Sequence, residues 1–119
     1  MNNNEINIMK KDEFNCITTI IDFIHKNYSK DHSVQEYADL CNYNKYYFIR
    51  LFREYTKETP YRFKTKIRIE KAKELMQNTS MNNIKIAESV GYSSAYYFSR
   101  IFKTYTGVSP DTYRKNLEK

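Results

Sequence analysis

Glycine, proline and tryptophan are scarce in this chain of 119 residues, which has two glycines, two prolines and no tryptophan. So few turn-forming residues disfavour a many-stranded sheet. Gly91 and Gly107 are also too few for the glycine-rich phosphate loop of a doubly wound nucleotide-binding fold. No apolar run approaches the ~18 residues of a membrane span, and no signal peptide precedes the first charges. The composition therefore favours a compact, soluble, mostly helical protein with no membrane partner.

Cysteine and histidine are equally scarce. Cys16 and Cys41 are far apart in sequence, and only His25 and His32 could join them as ligands. This falls short of a zinc pattern or a disulfide framework, so we predict two small hydrophobic cysteines, solvent-facing histidines, a reducing cytoplasm, and no metal or other cofactor. Because no cysteine or histidine has a partner at a catalytic spacing, we also predict that the protein is not an enzyme.

Positive charge is concentrated in one part of the chain. The net charge is +6 overall, and residues 43–68 alone hold eight basic and two acidic side chains. We call residues 43–68 the basic segment. Its cations are Lys45, Arg50, Arg53, Lys57, Arg62, Lys64, Lys66 and Arg68. Such a concentration favours a polyanionic partner such as nucleic acid, although a solvated helix face produces similar charge runs.

The chain also resembles itself. Residues 47–60 align with residues 97–110 at a shift of 50, and seven positions are identical. The identical pairs are Tyr47 and Tyr97, Phe48 and Phe98, Arg50 and Arg100, Phe52 and Phe102, Tyr55 and Tyr105, Thr56 and Thr106, and Pro60 and Pro110. Upstream, a shift of 49 pairs Ala38 with Ala87 and Tyr43 with Tyr92. Two copies are too few for a solenoid, so the pattern indicates a duplicated unit.

Each copy predicts two short helices joined by a turn. In the first copy, Ser33 and Glu36 form a capping box that opens a helix over residues 34–41, and a second helix covers residues 45–55. Phe48, Leu51, Phe52 and Tyr55 have the spacing of one buried helix face. Two helices joined by a turn of three or four residues form a helix-turn-helix motif.

The second copy repeats this design. Asn82 or Asn83 caps a helix over residues 84–90, Gly91 takes the sharp turn, and Ser93 or Ser94 caps the next helix. The buried face of that helix comprises Phe98, Ile101, Phe102 and Tyr105.

The complete prediction is an all-α fold of about seven helices, with two helix-turn-helix subdomains joined by a long linker helix. An amphipathic helix covers residues 14–28, Pro60 opens the linker helix, and Pro110 opens the last helix. Core candidates in the linker helix are Phe63, Ile67, Ala72, Leu75 and Met76. The predicted divisions are a flexible tail (residues 1–13), a first subdomain (14–59), the linker helix (60–78) and a second subdomain (79–119).

The repeated motif suits duplex DNA. One α-helix fits the major groove, and grooves on one face recur every ~34 Å. A linker of about 18 residues spans roughly 27 Å, so one monomer could reach two consecutive grooves. The predicted exposed faces comprise Lys45, Tyr46, Ile49, Arg50 and Arg53 in the first copy, and Ala95, Tyr96, Ser99, Arg100 and Lys103 in the second.

The segment IAESVGYSSAYYFSRIFKTYTGVSPDTYR, residues 86–114, closely resembles the signature of the AraC/XylS family of bacterial transcription regulators. The first motif, together with Arg68, Ala72 and Leu75 of the linker helix, resembles the N-terminal half of that family's DNA-binding domain. The resemblance covers residues 14–117 and implies one recognition helix per lobe in adjacent major grooves. It also implies transcription control in the bacterial cytoplasm, at the nucleoid, more often by activation through contact with RNA polymerase.

Carried over residue by residue, the resemblance favours base readers in both recognition helices. They are Tyr46, Ile49 and Arg50 in the first, and Ala95, Tyr96, Tyr97, Ser99 and Arg100 in the second. The first copy departs from the family at Lys57-Glu58-Thr59, where a glycine is expected. Full-length relatives usually add an effector-binding or dimerising domain. This chain is therefore either a stand-alone regulator or the C-terminal part of a larger one, in which case dimerisation is possible.

A single-stranded nucleic-acid-binding module is the alternative. Twelve tyrosines and the basic segment could form a stacking platform for unpaired bases. Most of the tyrosines, however, fall on or near apolar helix faces, and a stacking platform has no use for a duplicated helix-turn-helix motif.

Overall fold

The computed structural model describes residues 9–118, which form seven α-helices and no strand. This confirms the predicted all-α fold. The helices are α1 Lys11–Asn27, α2 Val34–Leu40, α3 Lys45–Thr56, α4 Pro60–Asn78, α5 Asn83–Val90, α6 Ala95–Thr106 and α7 Pro110–Leu117. Within the described range, none of these helices is long and apolar enough to span a bilayer.

The helix boundaries follow the capping residues. The side chains of Ser33, Asn82 and Ser94 each accept a backbone N–H from the first turn of the helix that follows. Helix α1, however, begins at Lys11 rather than at residue 14, because the Glu13 carboxylate accepts the Lys10 backbone N–H at 3.1 Å. Residues 11–13 are therefore helical and not part of a flexible tail, and residues 1–8 of that predicted tail lie outside the described residues.

The chain divides into two compact units. The first contains the described residues up to Lys26 together with His32–Phe63. Its core consists of side chains from α1, α2 and α3, namely Ile17, Ile20, Ile24, Tyr37, Ala38, Phe48, Leu51 and Phe52, all at most 3% exposed. Burying a phenylalanine or isoleucine side chain contributes about 1.5–3 kcal/mol, so this cluster supplies much of the unit's stability.

The second unit contains Asn27–Asp31 and the described residues from Lys64 onward. Its core consists of Ile69, Ala72, Met76, Ile86, Ala87, Val90, Tyr92, Phe98 and Phe102. Tyr113 of α7 packs edge-on against Phe102 with ring centroids 5.5 Å apart. The repeated phenylalanine pairs thus form the centre of each unit, as the duplication predicts.

The buried face of α4 differs from the prediction. Ile69 is buried where Ile67 was expected, and Ile67 is only half-buried. Arg68 is 7% exposed. Its guanidinium donates to the carbonyls of Tyr28 at 2.7 Å and Lys30 at 3.3 Å. Polar residues share the buried face of this helix, so apolar periodicity alone could not fix its register.

The prediction for the cysteines is wrong. Cys16 in α1 and Cys41, which ends α2, are joined by a disulfide bond with their Cα atoms 5.9 Å apart. Their separation of 25 residues gives no pairing signal, because the two residues become neighbours only when α1 packs against α2. Cys41 is 9% exposed, so it lies at the edge of the first unit's core.

Candidate nucleic-acid interface

The turn of the first helix-turn-helix motif is held by backbone hydrogen bonds. The N–H groups of Tyr43 and Asn42 donate to the carbonyls of Ala38 and Asp39, at 3.0 and 3.1 Å. Asn42 adopts a left-handed conformation with φ 57°, which directs the chain out of α2. Asn44 then caps α3 by accepting the Tyr47 N–H at 2.9 Å. These bonds fix where α3 begins.

The second motif is built by equivalent bonds. The Tyr92 N–H donates to the Ala87 carbonyl at 2.8 Å, at positions 49 residues after Tyr43 and Ala38. Gly91 takes the left-handed position with φ 109°, where the first motif has Asn42. Ser94 caps α6 by accepting the Tyr97 N–H at 3.1 Å. The duplication in sequence is therefore a duplication of backbone geometry.

One side of α3 is open to solvent and carries positive charge. Lys45, Arg50 and Arg53 are exposed, and Tyr46 is 79% exposed. Ile49 is half-buried between this surface and the core. We call Lys45, Tyr46, Ile49, Arg50 and Arg53 the α3 face. The buried residues Phe48, Leu51 and Phe52 occupy the opposite side of the helix.

Aromatic rings and cations lie close together on α3. The Arg50 guanidinium lies 4.9 Å from the centroid of the Tyr47 ring, and the Lys45 ammonium lies 5.9 Å from that of Tyr46. The Tyr47 hydroxyl donates a hydrogen bond to the Glu13 carboxylate in α1. Glu13 therefore anchors the ring on which Arg50 rests, and this restrains the guanidinium at the solvent surface.

Glu13 is a residue that the sequence prediction missed. It is 9% exposed, although the sequence prediction places it in the flexible tail. Lys10 is not a preferred N-cap residue, so no capping signal marks this helix start in the sequence, and the bond from the Lys10 N–H to Glu13 is visible only in the structure. Burial first, and the carboxylates of Glu13 and Asp12 second, raise the pKa of the neighbouring Tyr43 phenol above its ordinary 10.0.

The equivalent side of α6 is also open. Tyr96 is 74% and Tyr97 45% exposed, and Arg100 and Lys103 are exposed beside them. Two smaller residues of this surface, Ala95 and Ser99, are half-buried. We call Ala95, Tyr96, Tyr97, Ser99, Arg100 and Lys103 the α6 face. Helix α6 contains no acidic residue, so its two cations stand without an opposing charge on the helix itself.

The rest of the basic segment is not a uniform solvated surface. Arg68 is buried and pairs with Asp31 at 3.2 Å, and the Lys64 ammonium donates to the Lys30 carbonyl. The Arg68 charge therefore serves the interior of the second unit, whereas Lys64 is only half-buried. Arg68 is therefore not available to a polyanionic partner, although the charge pattern grouped it with the other cations of the basic segment, because its guanidinium is held by the carbonyls of Tyr28 and Lys30.

No group of three or more metal-binding side chains occurs among the described residues. Histidine rings are used in packing. His25 is exposed but lies against Phe63, with centroids 5.8 Å apart. His32 is half-buried rather than solvent-facing, because its ring packs near Phe23 and its Nδ1 lies 2.9 Å from the Glu36 carboxylate.

A family model described as a helix-turn-helix domain matches residues 37–116. The raffinose operon transcriptional regulatory protein of Pediococcus pentosaceus is 32% identical over 113 residues, which are 94% of this chain and 39% of that protein. The transcriptional regulator AlkR of Acinetobacter baylyi is 35% identical over 92 residues, which are 77% of this chain and 30% of that protein. The chain thus spans about a third of the length of these relatives.

Solved structures share the fold. The C-terminal domain of AraT, a response regulator from Geobacillus stearothermophilus, is 34% identical with a TM-score of 0.81, covering 85% of this chain and 84% of that one. The DNA-binding domain of AdpA, solved with a target DNA, is 20% identical with a TM-score of 0.74, covering 90% and 93%. These relatives give no support to the single-stranded alternative.

Proposed function

Because this chain belongs to the AraC family of helix-turn-helix transcription regulators, we propose that it binds double-stranded DNA and regulates transcription by inserting α3 and α6 into major grooves. The family consists of transcription regulators rather than enzymes, in agreement with the sequence prediction. The observation that carries the proposal is the repeated motif. Each copy ends in a capped helix with a buried phenylalanine side and a solvent-exposed side bearing tyrosine and cations.

The side chains of the two faces divide by chemistry. The charged groups of Lys45, Arg53 and Lys103 stand at the ends of flexible aliphatic chains and are suited to hydrogen bonds with phosphate oxygens. Arg50 and Arg100 occupy equivalent positions and are suited to the paired acceptors of guanine. Ile49 and Ala95 offer apolar contact to a thymine methyl group. Tyr46, Tyr96, Tyr97 and Ser99 supply hydroxyl groups for base edges or phosphates.

In this proposal the two reading units are residues 11–59, which include the whole of α1, and the residues after 78, joined by residues 60–78. Each unit carries its own recognition helix, so one copy of the chain suits an asymmetric site without a dimer axis. Regulation would take place in the bacterial cytoplasm, where the DNA lies, by activation through contact with RNA polymerase. Activation is supported by a relative, since the E. coli protein that is 30% identical over 87 residues is named a transcriptional activator.

The first test compares duplex and single-stranded DNA of random sequence, about two and a half helical turns long, by fluorescence anisotropy over a range of salt concentrations. We expect the duplex to bind more tightly, with log K falling against log[salt] at a slope of about −5 to −7 if roughly 6–8 phosphates are contacted. Tighter binding of the single strand would favour a stacking platform instead.

Matched variants assign the charge to the two faces. Lys45→Ala and Lys103→Ala should each weaken duplex binding and reduce the salt slope by about 1. Lys26→Ala is the control, because Lys26 is an exposed lysine of α1 that pairs with Asp22 at 2.9 Å and lies on neither face. An equal loss from all three variants would mean that net charge alone, rather than the two faces, binds DNA.

A further inference from the structure

The only two cysteines of the chain lie where α1 meets the turn of the first helix-turn-helix motif. Cys41 is the C-cap of α2, and the next residue, Asn42, has the left-handed conformation that directs the chain toward α3. Cys16 lies on α1 and is bonded to Cys41. The disulfide therefore fastens α1 at the point where the chain leaves α2.

Helix α1 contacts the motif at a second point. Glu13 and Cys16 are three residues apart, so they lie on one side of α1 one turn apart. Glu13 accepts a hydrogen bond from Tyr47 in the first turn of α3, while Cys16 holds the end of α2. Helix α1 is thus attached to both helices of the motif, to the end of α2 through Cys16 and to the first turn of α3 through Glu13.

We propose that Cys16 and Cys41 form a reversible dithiol–disulfide site that controls the rigidity of the first motif. The second motif has no cysteine, so the control acts on one of the two motifs. A bacterial cytoplasm keeps most thiols reduced, and a disulfide there is typically transient and sensory. The consequence for DNA, a change in reading by α3 alone, rests on the proposed function.

The oxidant is a low-molecular-weight disulfide such as oxidised glutathione. The Cys16 thiolate, the more accessible of the two, attacks one glutathione sulfur, which forms a mixed disulfide and releases one glutathione thiolate. The Cys41 thiolate then attacks the Cys16 sulfur and releases the second glutathione. The two cysteines lose two electrons and two protons, and oxidised glutathione gains them as two thiols.

The first experiment measures whether the pair forms. The purified full chain is equilibrated in reduced and oxidised glutathione mixtures, alkylated with iodoacetamide and weighed by mass spectrometry. We expect a single two-electron transition from two alkylated cysteines to none. Two alkylated cysteines in excess oxidised glutathione, or a persistent mixed disulfide on Cys16, would overturn the proposal.

The second experiment measures the effect on the fold by hydrogen exchange, in the absence of DNA. Closing a loop of this length in the unfolded chain restricts it strongly, so reduction should speed exchange of the Tyr43 and Tyr47 amides by on the order of 100-fold. The amides of Tyr92 and Tyr97 in the second motif are the internal control and should be unaffected. Equal protection of the first motif in both redox states would overturn the proposal.

A Cys16→Ala, Cys41→Ala chain separates redox chemistry from other effects of glutathione. Its Tyr43 and Tyr47 amides should exchange as in the reduced wild type, whatever the redox mixture. A redox response that persisted in this variant would refute the assignment to these two residues. Because neither experiment contains DNA, failure of the redox proposal and failure of DNA binding remain distinguishable.

Discussion

Gly91 should be the less replaceable of the two glycines, although both adopt left-handed conformations. A Cβ added at Gly91, with φ 109°, would lie 2.7 Å from Arg68 Nη2 and 2.7 Å from the Ser29 carbonyl oxygen. At Gly107, with φ 88°, a Cβ would meet nothing within 4 Å. Substitution at Gly107 therefore tests backbone strain alone, and substitution at Gly91 tests strain and packing together.

The expected magnitudes follow from these contacts. In Gly107→Ala, the left-handed backbone costs about 1 kcal/mol. In Gly91→Ala, comparable strain is joined by displacement of Arg68, which is 7% exposed and donates to Tyr28, Lys30 and Asp31. Weakening such charge-assisted bonds costs about 1.5–3 kcal/mol. The total expected for Gly91→Ala is therefore about 2.5–4 kcal/mol.

Thermal unfolding followed by circular dichroism measures the difference. At about 4 °C per kcal/mol for a chain of this size, Gly107→Ala should lower Tm by about 4 °C and Gly91→Ala by about 10–16 °C. An Arg68→Ala background should reduce the cost of Gly91→Ala, because one of the two clashing groups is gone. Equal decreases in Tm for Gly91→Ala and Gly107→Ala in the wild-type background would refute the claim that a Cβ at position 91 displaces Arg68.

Three further predictions concern the first motif. Lys57 has φ 68° at the position equivalent to Gly107, so its backbone is strained. Lys57→Gly should therefore raise the free energy of unfolding, measured in urea, by about 0.5–1 kcal/mol. A lower free energy of unfolding in the variant would contradict strain at Lys57. Because folding raises the pKa of Tyr43, its contribution to stability is fully present below pH 10.0 and is lost as pH rises through the folded pKa. An alkaline absorbance titration should show one tyrosine that ionises at higher pH than an ordinary tyrosine, and Tyr43→Phe should remove that step. An unchanged titration curve in the variant would contradict the raised pKa of Tyr43. Arg50→Ala should cost about 1–3 kcal/mol on a specific site and relax one base position, whereas equal loss on all sequences would make Arg50 a phosphate anchor.

The duplicated helices could be predicted because several independent signals agreed. Ser33 and Asn82 mark the starts of α2 and α5, Gly91 marks the turn of the second motif, and the phenylalanines mark the buried sides of α3 and α6. The left-handed positions of the first copy were harder to find, because Asn42 and Lys57 adopt φ 57° and 68° where the second copy has glycine. Backbone geometry is retained in the first copy although its glycine signal is absent, since packing outweighs about 1 kcal/mol of strain.

What the sequence did not reveal depends on contacts between distant residues. The bond between Cys16 and Cys41 and the anchoring of Tyr47 by Glu13 require α1 to lie against the motif, and no local pattern encodes that placement. The charge pattern groups Arg68 with the surface cations because its carbonyl acceptors lie 38 and 40 residues away in sequence. The sequence shows where the charged residues are, but only the folded structure shows whether a given charge faces water.

Selection of DNA from a random duplex library at ~150 mM salt is the most direct test of the proposal that both α3 and α6 read DNA. The account predicts an asymmetric enriched motif with two informative blocks about one helical turn, or ~10 base pairs, apart. Arg50→Ala and Arg100→Ala should each lose information in a different block. A single block affected by both variants, or no enrichment at all, would contradict reading by two helices of one chain.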